Sequence, residues 1–138
     1  MWASNDGNDP VETTNTIGSP RVLLVDDSPS DCLRTCVHLR RHNVLVTAVK
    51  FPWQALELLN QEHVVNLVLT VDRILDHMSG YDLLMEVKKS PKLNHLPVVI
   101  ISDDMIHERV KRCLDGGAKD YIQKPMEYSH VTRILSYI

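Results

Sequence analysis

The stretch VVNLVLTVD, residues 64–72, decides the fold class. Val64–Val71 is apolar on both faces and runs into a carboxylate, Asp72. A strand with one wet face alternates apolar and polar residues; one covered by helices on both sides does not, so this run reads as a strand inside a parallel sheet. On its N-terminal side stand Arg21–Val25 (RVLLV), a helical pattern over Pro29–Arg41 with Leu33, Cys36, Val37 and Arg40 at helical spacing, a β-branched strand Val44–Val49, and Pro52–Asn60. Proline suits the first turn of that second helix, which would turn Trp53, Leu56 and Leu58 or Leu59 inward. On its C-terminal side come a helix Gly80–Ser90 (Leu83, Leu84, Val87), a buried strand Leu96–Ile101, a helix Met105–Leu114 stopped by Gly116-Gly117, a short strand Tyr121–Gln123 and a helix Glu127–Tyr137. Five strands alternating with five helices predict an α/β fold: a doubly wound, five-stranded parallel sheet of (βα)5 type with right-handed crossovers.

The 138 residues suffice for one domain, which at this size needs no metal or disulfide scaffold to fold. The division expected is a polar, flexible leader over residues 1–20 and the folded domain over 21–138. Lys plus Arg is 15 against 18 for Asp plus Glu; Asp6, Asp9 and Glu12 account for the whole excess, so the domain itself is neutral. That speaks against a nucleic-acid footprint. No apolar run approaches the ~20 residues of a membrane span, which speaks against a membrane role. Three cysteines without paired spacing fit a reducing compartment.

In an open parallel sheet, ligands bind beyond the carboxyl ends of the strands. The first strand ends in Asp26-Asp27, the third in Asp72, the fourth in Ser102, and the fifth just before Lys124-Pro125. Three carboxylates, a hydroxyl and an amine thus gather at one edge. Hard oxygen ligands of this kind suit Mg²⁺. One carboxylate could then attack phosphorus while the hydroxyl and ammonium hold the phosphoryl oxygens. An acidic pair at a strand end commonly belongs to a loop or cap, and a lone Lys-Pro carries little; four strand ends supplying complementary groups is the signal.

Residues 21–138 resemble the receiver domain of two-component response regulators, through VLLVDDSPSD (22–31), NLVLTVDRILDHMSGYDLL (66–84), LPVVIISDD (96–104) and GGAKDYIQKP (116–125). The phrasing is most similar to the plant type-A subgroup of cytokinin signalling, receivers without a DNA-binding output domain. The flavodoxin-like receiver fold follows from the resemblance. So do these roles: Asp26 and Asp27 as the Mg²⁺-binding acids, Asp72 as phosphoacceptor and metal ligand, the Arg73 main-chain carbonyl as a further ligand, Ser102 as switch hydroxyl, Lys124 as phosphate-binding lysine, Tyr121 as rotating aromatic, and a cis Lys124–Pro125 bond. The resemblance also implies a histidine-containing phosphotransfer protein as partner and residence in cytoplasm and nucleus; the oligomeric state is left open, with a monomer the expectation.

Three positions depart from the family pattern. Val71 is an extra residue between Thr70 and Asp72, which would flip side-chain facing unless a bulge or slipped register absorbs it. Either Val71 replaces a lost acceptor or Asp72 is the acceptor. Gly80, Ser102 and Lys124 stand eight, thirty and fifty-two residues after Asp72, which favours Asp72. Leu75-Asp76 stands where Met-Pro is usual, which would free the loop and add charge near the site. Asp103 follows Ser102 where a small neutral residue is usual, and would either obstruct a phosphoryl donor or face solvent.

Cys32 and Cys36 read as core thiols, the seven histidines as scattered, and the basic residues Lys88, Lys89, Lys92, Arg109, Lys111 and Arg112 as solvated helix faces. The leading function is a phosphorelay receiver, a signalling module and not a conventional enzyme. Accepting phosphoryl at Asp72 would turn Tyr121 inward and bias the last helix-strand-helix face toward partners. The alternatives are a pseudo-receiver that has lost phosphorylation and, less favoured, an Asp-nucleophile phosphatase, whose usual second acid is here Ile74.

Overall fold

The computed structural model describes residues 11–12, 18–61 and 64–138. Its elements are β1 (Val11–Glu12), β2 (Arg21–Val25), α1 (Pro29–Arg41), β3 (Leu45–Val49), α2 (Pro52–Asn60), β4 (Leu67–Val71), β5 (Ile74–Leu75), β6 (Met78–Ser79), α3 (Gly80–Lys89), β7 (Val98–Ser102), α4 (His107–Asp115), β8 (Asp120–Gln123) and α5 (Tyr128–Leu135). The main sheet has the order β1-β3-β2-β4-β7-β8. Its last five strands are mutually parallel, so the expected doubly wound five-stranded sheet is present. The chain reverses direction of winding between β2 and β4, and this switch point is where such sheets bind ligands.

The expected leader over residues 1–20 falls largely outside the described residues. Within it, Val11–Glu12 form β1, which pairs antiparallel to Ala48 and Thr47 on the edge strand β3.

The sheet carries an apolar layer on each face. Val22, Leu24, Val46, Leu69, Val71 and Ile101 pack under α1 and α5. Leu23, Val25, Val68, Ile100 and Tyr121 pack under α2, α3 and α4. β4 is buried along its whole length, which explains why its sequence is apolar on both faces.

The helix phases differ from expectation in two places. In α1 the buried stripe is Cys32, Thr35, Cys36 and Leu39. Leu33 is instead 50% exposed and Val37 is exposed too. In α2 the buried positions are Pro52, Gln54, Ala55 and Leu59, while Trp53 is 38% exposed. In both helices packing against the sheet selects the buried stripe, and apolar spacing alone is compatible with more than one phase. Gln54 is buried because its side chain accepts from the Lys50 and Phe51 N–H groups, closing the helix N-terminus.

α3 presents Leu83, Leu84 and Val87 as its spacing predicts, and Ser79 caps it by accepting from the Asp82 N–H. α4 ends at Gly116, and Gly117 takes a left-handed φ of +109°. The β5–β6 hairpin is absent from the sequence reading. Asp76 and His77 both have positive φ, +52° and +72°, the combination a tight two-residue hairpin turn demands. The Trp53 indole N–H donates to Asp76 Oδ2 at 2.8 Å and ties this turn to α2. Asp76 is therefore spent on Trp53, and the loop without its usual proline is folded back as a hairpin.

Candidate functional site

Each strand end delivers its residue by parity. Asp26 follows Val22 and Leu24 onto the α1–α5 face, and Lys124 follows Ile122 onto the same face. There Lys124 Nζ stands 3.0 Å from Asp26 Oδ2 and 3.0 Å from Asp31 Oδ2. Asp72 and Ser102 follow Val68 and Ile100 onto the opposite face, where Tyr121 lies. The Tyr121 hydroxyl donates to Asp72 Oδ2 at 2.6 Å.

The register shows how the extra residue is absorbed. Val25 lies opposite Thr70, so Asp26 is level with Val71 and not with Asp72. On the other side Val71 lies opposite Ile101. β4 continues without a bulge through Val71, and the Asp72 N–H still donates to the Ile101 carbonyl at 3.0 Å. Period-two alternation then sends the Asp72 carboxylate across the sheet from Asp26. Gly80 accommodates the longer strand, since a Cβ there would lie 2.0 Å from the Val71 carbonyl oxygen.

The expected acceptor, hydroxyl and lysine nonetheless meet at one opening. Asp72, Ser102 and Lys124 line a pocket of about 70 Å³ at the carboxyl edge, together with Val71, Arg73 and Asp103. Asp72 and Ser102 are both buried. The Lys124–Pro125 peptide is cis. Tyr121 is 3% exposed, so the inward position expected only after phosphorylation is the one its ring occupies, anchored by Asp72 itself.

The metal set Asp26, Asp27, Asp72 and the Arg73 carbonyl is not drawn to a point. Among the described residues no group of three or more His, Cys, Asp or Glu side chains is placed to hold a metal ion. Arg73 does occupy the acids, through its side chain. Its guanidinium lies 3.8 Å from Asp26 Oδ1, 3.2 Å from Asp27 Oδ1 and 2.9 Å from Asp103 Oδ2. The family resemblance assigns Arg73 only its carbonyl; three acids close to an arginine is the sequence signal for the role of its side chain. Asp103, 65% exposed along its side chain, lines the pocket and pairs with Arg73, so its charge does not stand free in solvent.

Charges in the site reflect these partners. Burial raises the Asp26 carboxyl above its ordinary value, opposed by the Ser28 N–H and by Lys124. The hydrogen bond from Lys124 is the main cause that lowers Asp31. Burial, and then the bond to Asp72, push the Tyr121 phenol up to about 12, with the Ser102 hydroxyl acting the other way.

The residues read as solvated basic faces are locally engaged. Lys89 pairs with Glu86 and Lys111 with Asp115, Lys88 donates to the Leu96 carbonyl, and the Arg112 guanidinium lies over the Tyr81 ring. Cys32, Cys36 and Cys113 are buried free thiols.

Comparison with known proteins agrees with this architecture. The family model described as response regulator receiver domain matches residues 22–136. The chain is 57% identical to the two-component response regulator ORR12 of Oryza sativa subsp. japonica over 122 residues, covering 88% of this chain and 100% of the relative. It is 55% identical to ORR13 of the same rice over an equal span, and 42% identical to ORR5 over 121 residues, 88% of this chain and 90% of the relative. Among solved structures, the signal receiver domain of a histidine kinase from Syntrophus aciditrophicus aligns with a TM-score of 0.74 at 27% identity, covering 87% of this chain and 92% of that one. The receiver domain of sensor kinase PA1611 from Pseudomonas aeruginosa, solved with magnesium coordinated in its active-site cleft, aligns with a TM-score of 0.76 at 24% identity over 86% of this chain and 96% of that one.

Proposed function

The chain belongs to the response regulator receiver family, and on that premise we propose that it accepts a phosphoryl group on Asp72 from a phosphohistidine of a phosphotransfer partner. One observation carries this reading: Asp72, Ser102 and Lys124 share a small pocket at the switch-point edge of the sheet. Tyr121 engages Asp72 Oδ2, which leaves Oδ1 as the attacking atom. A bond forms from Oδ1 to phosphorus as the phosphorus–nitrogen bond of the donor breaks, and the imidazole leaves with the electron pair and takes up a proton. Oδ2 becomes the carbonyl oxygen of the acyl phosphate and still accepts from Tyr121. Ser102 and Lys124 are the groups available to the phosphoryl oxygens. Drawing Lys124 toward them would loosen its pairs with Asp26 and Asp31, so the signal would travel through β8 into α5 and be read by partners.

From the resemblance to the plant type-A subgroup we extend the proposal to a negative regulator of cytokinin-type signalling without an output domain, resident in cytoplasm and nucleus. A second reading, a pseudo-receiver that binds partners without being phosphorylated, is favoured by the placement of Asp72 across the sheet from Asp26 and Lys124. Intact-mass analysis after incubation with a phosphorylated histidine-transfer protein separates the two. A single phosphoryl adduct that is lost in Asp72→Asn supports transfer, and its absence from the wild-type chain leaves the pseudo-receiver.

A further inference from the structure

Asp26, Asp27 and Asp103 surround the guanidinium of Arg73, which crosses from the end of β4 to the end of β2. We propose that Arg73 is the resident cation of this cleft: its guanidinium faces Asp26 and Asp27, the acids that would hold a divalent ion, so the receiver takes up Mg²⁺ only by displacing it. The inference concerns the same cleft as the phosphoryl-transfer reading and rests on family membership.

Three of the oxygens a metal would need already face a cation, although Asp26 Oδ2 is buried without a hydrogen bond among the described residues. Asp26 Oδ1 accepts from the Ser28 N–H at 3.0 Å and faces Arg73, while Oδ2 faces Lys124. Asp27 Oδ1 accepts from Arg73 Nε at 3.2 Å. A guanidinium holds carboxylates near 3 Å with its planar fork, whereas Mg²⁺ demands oxygens at ~2.0–2.1 Å in octahedral array. The carboxylates would have to close in and surrender charge-assisted bonds. The Asp26 side chain is fully buried, and a buried carboxylate stripped of its cation is costly unless the incoming ion compensates it. Burial works against the charge on Arg73, yet Asp27, Asp103 and Asp26 together hold its pKa above the ordinary value.

One inserted residue accounts for both halves of the arrangement. Val71 carries the Asp72 carboxylate to the far face of the sheet, removing a third ligand, and places Arg73 at the strand end beside the acids. The loss of a metal ligand and the gain of an internal cation are thus one change of register.

Metal binding tests this directly, independently of whether Asp72 is ever phosphorylated. The full chain is titrated with Mn²⁺ and the free ion is read by electron paramagnetic resonance. Arg73→Ala is expected to bind at least tenfold more tightly than the wild type, and Asp27→Asn in that background to abolish the gain. Asp103→Asn, which loosens the guanidinium without removing it, is expected to show a smaller gain and carries the test if Arg73→Ala does not fold. Wild-type binding as tight as that of Arg73→Ala, or, in that event, no gain in Asp103→Asn, overturns the proposal. A wild-type chain that accepts phosphoryl in the presence of a chelator leaves it standing. So does one that accepts none, because occupancy of the cleft by Mn²⁺ is what is read.

Discussion

Asp72 uses one of its oxygens on a tyrosine, and burial together with that bond keeps the Tyr121 phenol protonated. The Tyr121 phenol must keep its proton to donate it to a carboxylate, and burial, with the bond to Asp72 second, pushes its pKa up to about 12. With the folded value above the ordinary ~10, the contribution to stability is fully present below ~10 and is lost as pH rises through about 12. A rapid pH jump read by phenolate absorbance is expected to show a late step near 12 that is missing from Tyr121→Phe. In Asp72→Asn the step is expected to move down yet stay above the ordinary tyrosine value, because burial is the larger cause. A Tyr121→Phe profile indistinguishable from the wild type at high pH would show that the late step does not belong to Tyr121.

At the scale of elements, β4 shows what a sequence discloses and what it withholds. Its burial on both faces was legible because Leu67–Val71 offers no polar face to water; the same logic located β2 and β7, and apolar helical spacing located α3, to within a residue or two. Which face Asp72 takes was not legible: spacing to Gly80, Ser102 and Lys124 is measured along the chain, whereas facing depends on where the extra residue is absorbed. The phases of α1 and α2 were hidden for a related reason, since an apolar residue such as Leu33 or Trp53 satisfies a helical spacing without declaring which way the helix is rolled. The β5–β6 turn was unreadable because Asp-His is an uncommon pair for two successive positive φ angles, which Asn-Gly usually signals. Deleting Val71 reverses the facing. The carboxylate is then expected beside Lys124 on the α1–α5 face, and Tyr121 loses its acceptor. The late phenol step should shift downward as it does in Asp72→Asn, and a step unmoved by the deletion would show that β4 keeps its register by slipping elsewhere.

At the scale of the whole molecule, the site depends on two apolar layers, one on each face of the sheet, and β8 and α5 close the fold on the side where the signal is proposed to leave. The closure is polar as well as apolar. Val131 and Ile134 seat α5 on the core, and Asp120 on β8 holds the same helix through charge. Its Oδ2 accepts from Arg133 Nε at 2.6 Å and from the Tyr137 hydroxyl at 2.7 Å, and its Oδ1 accepts from the Tyr121 N–H at 2.8 Å. Burial opposes ionisation here, but Arg133, Tyr137 and that N–H outweigh it and hold the Asp120 carboxyl below its ordinary value. A folded pKa lowered in this way contributes stability above the unfolded value of ~3.9, and the contribution is lost as pH falls through the folded one. Asp120→Asn is therefore expected to cost about 1.5–3 kcal/mol at neutral pH, the range for hydrogen bonds to a charged group. Denaturant unfolding across the acid range is expected to bring variant and wild type together once pH falls below the folded pKa. Because Tyr121 precedes α5 on the strand that Asp120 anchors, the same substitution should loosen the aromatic that meets Asp72, shifting the late phenol step. A stability gap that stays constant from neutral to acid pH would mean that Asp120 holds α5 by shape and not by charge.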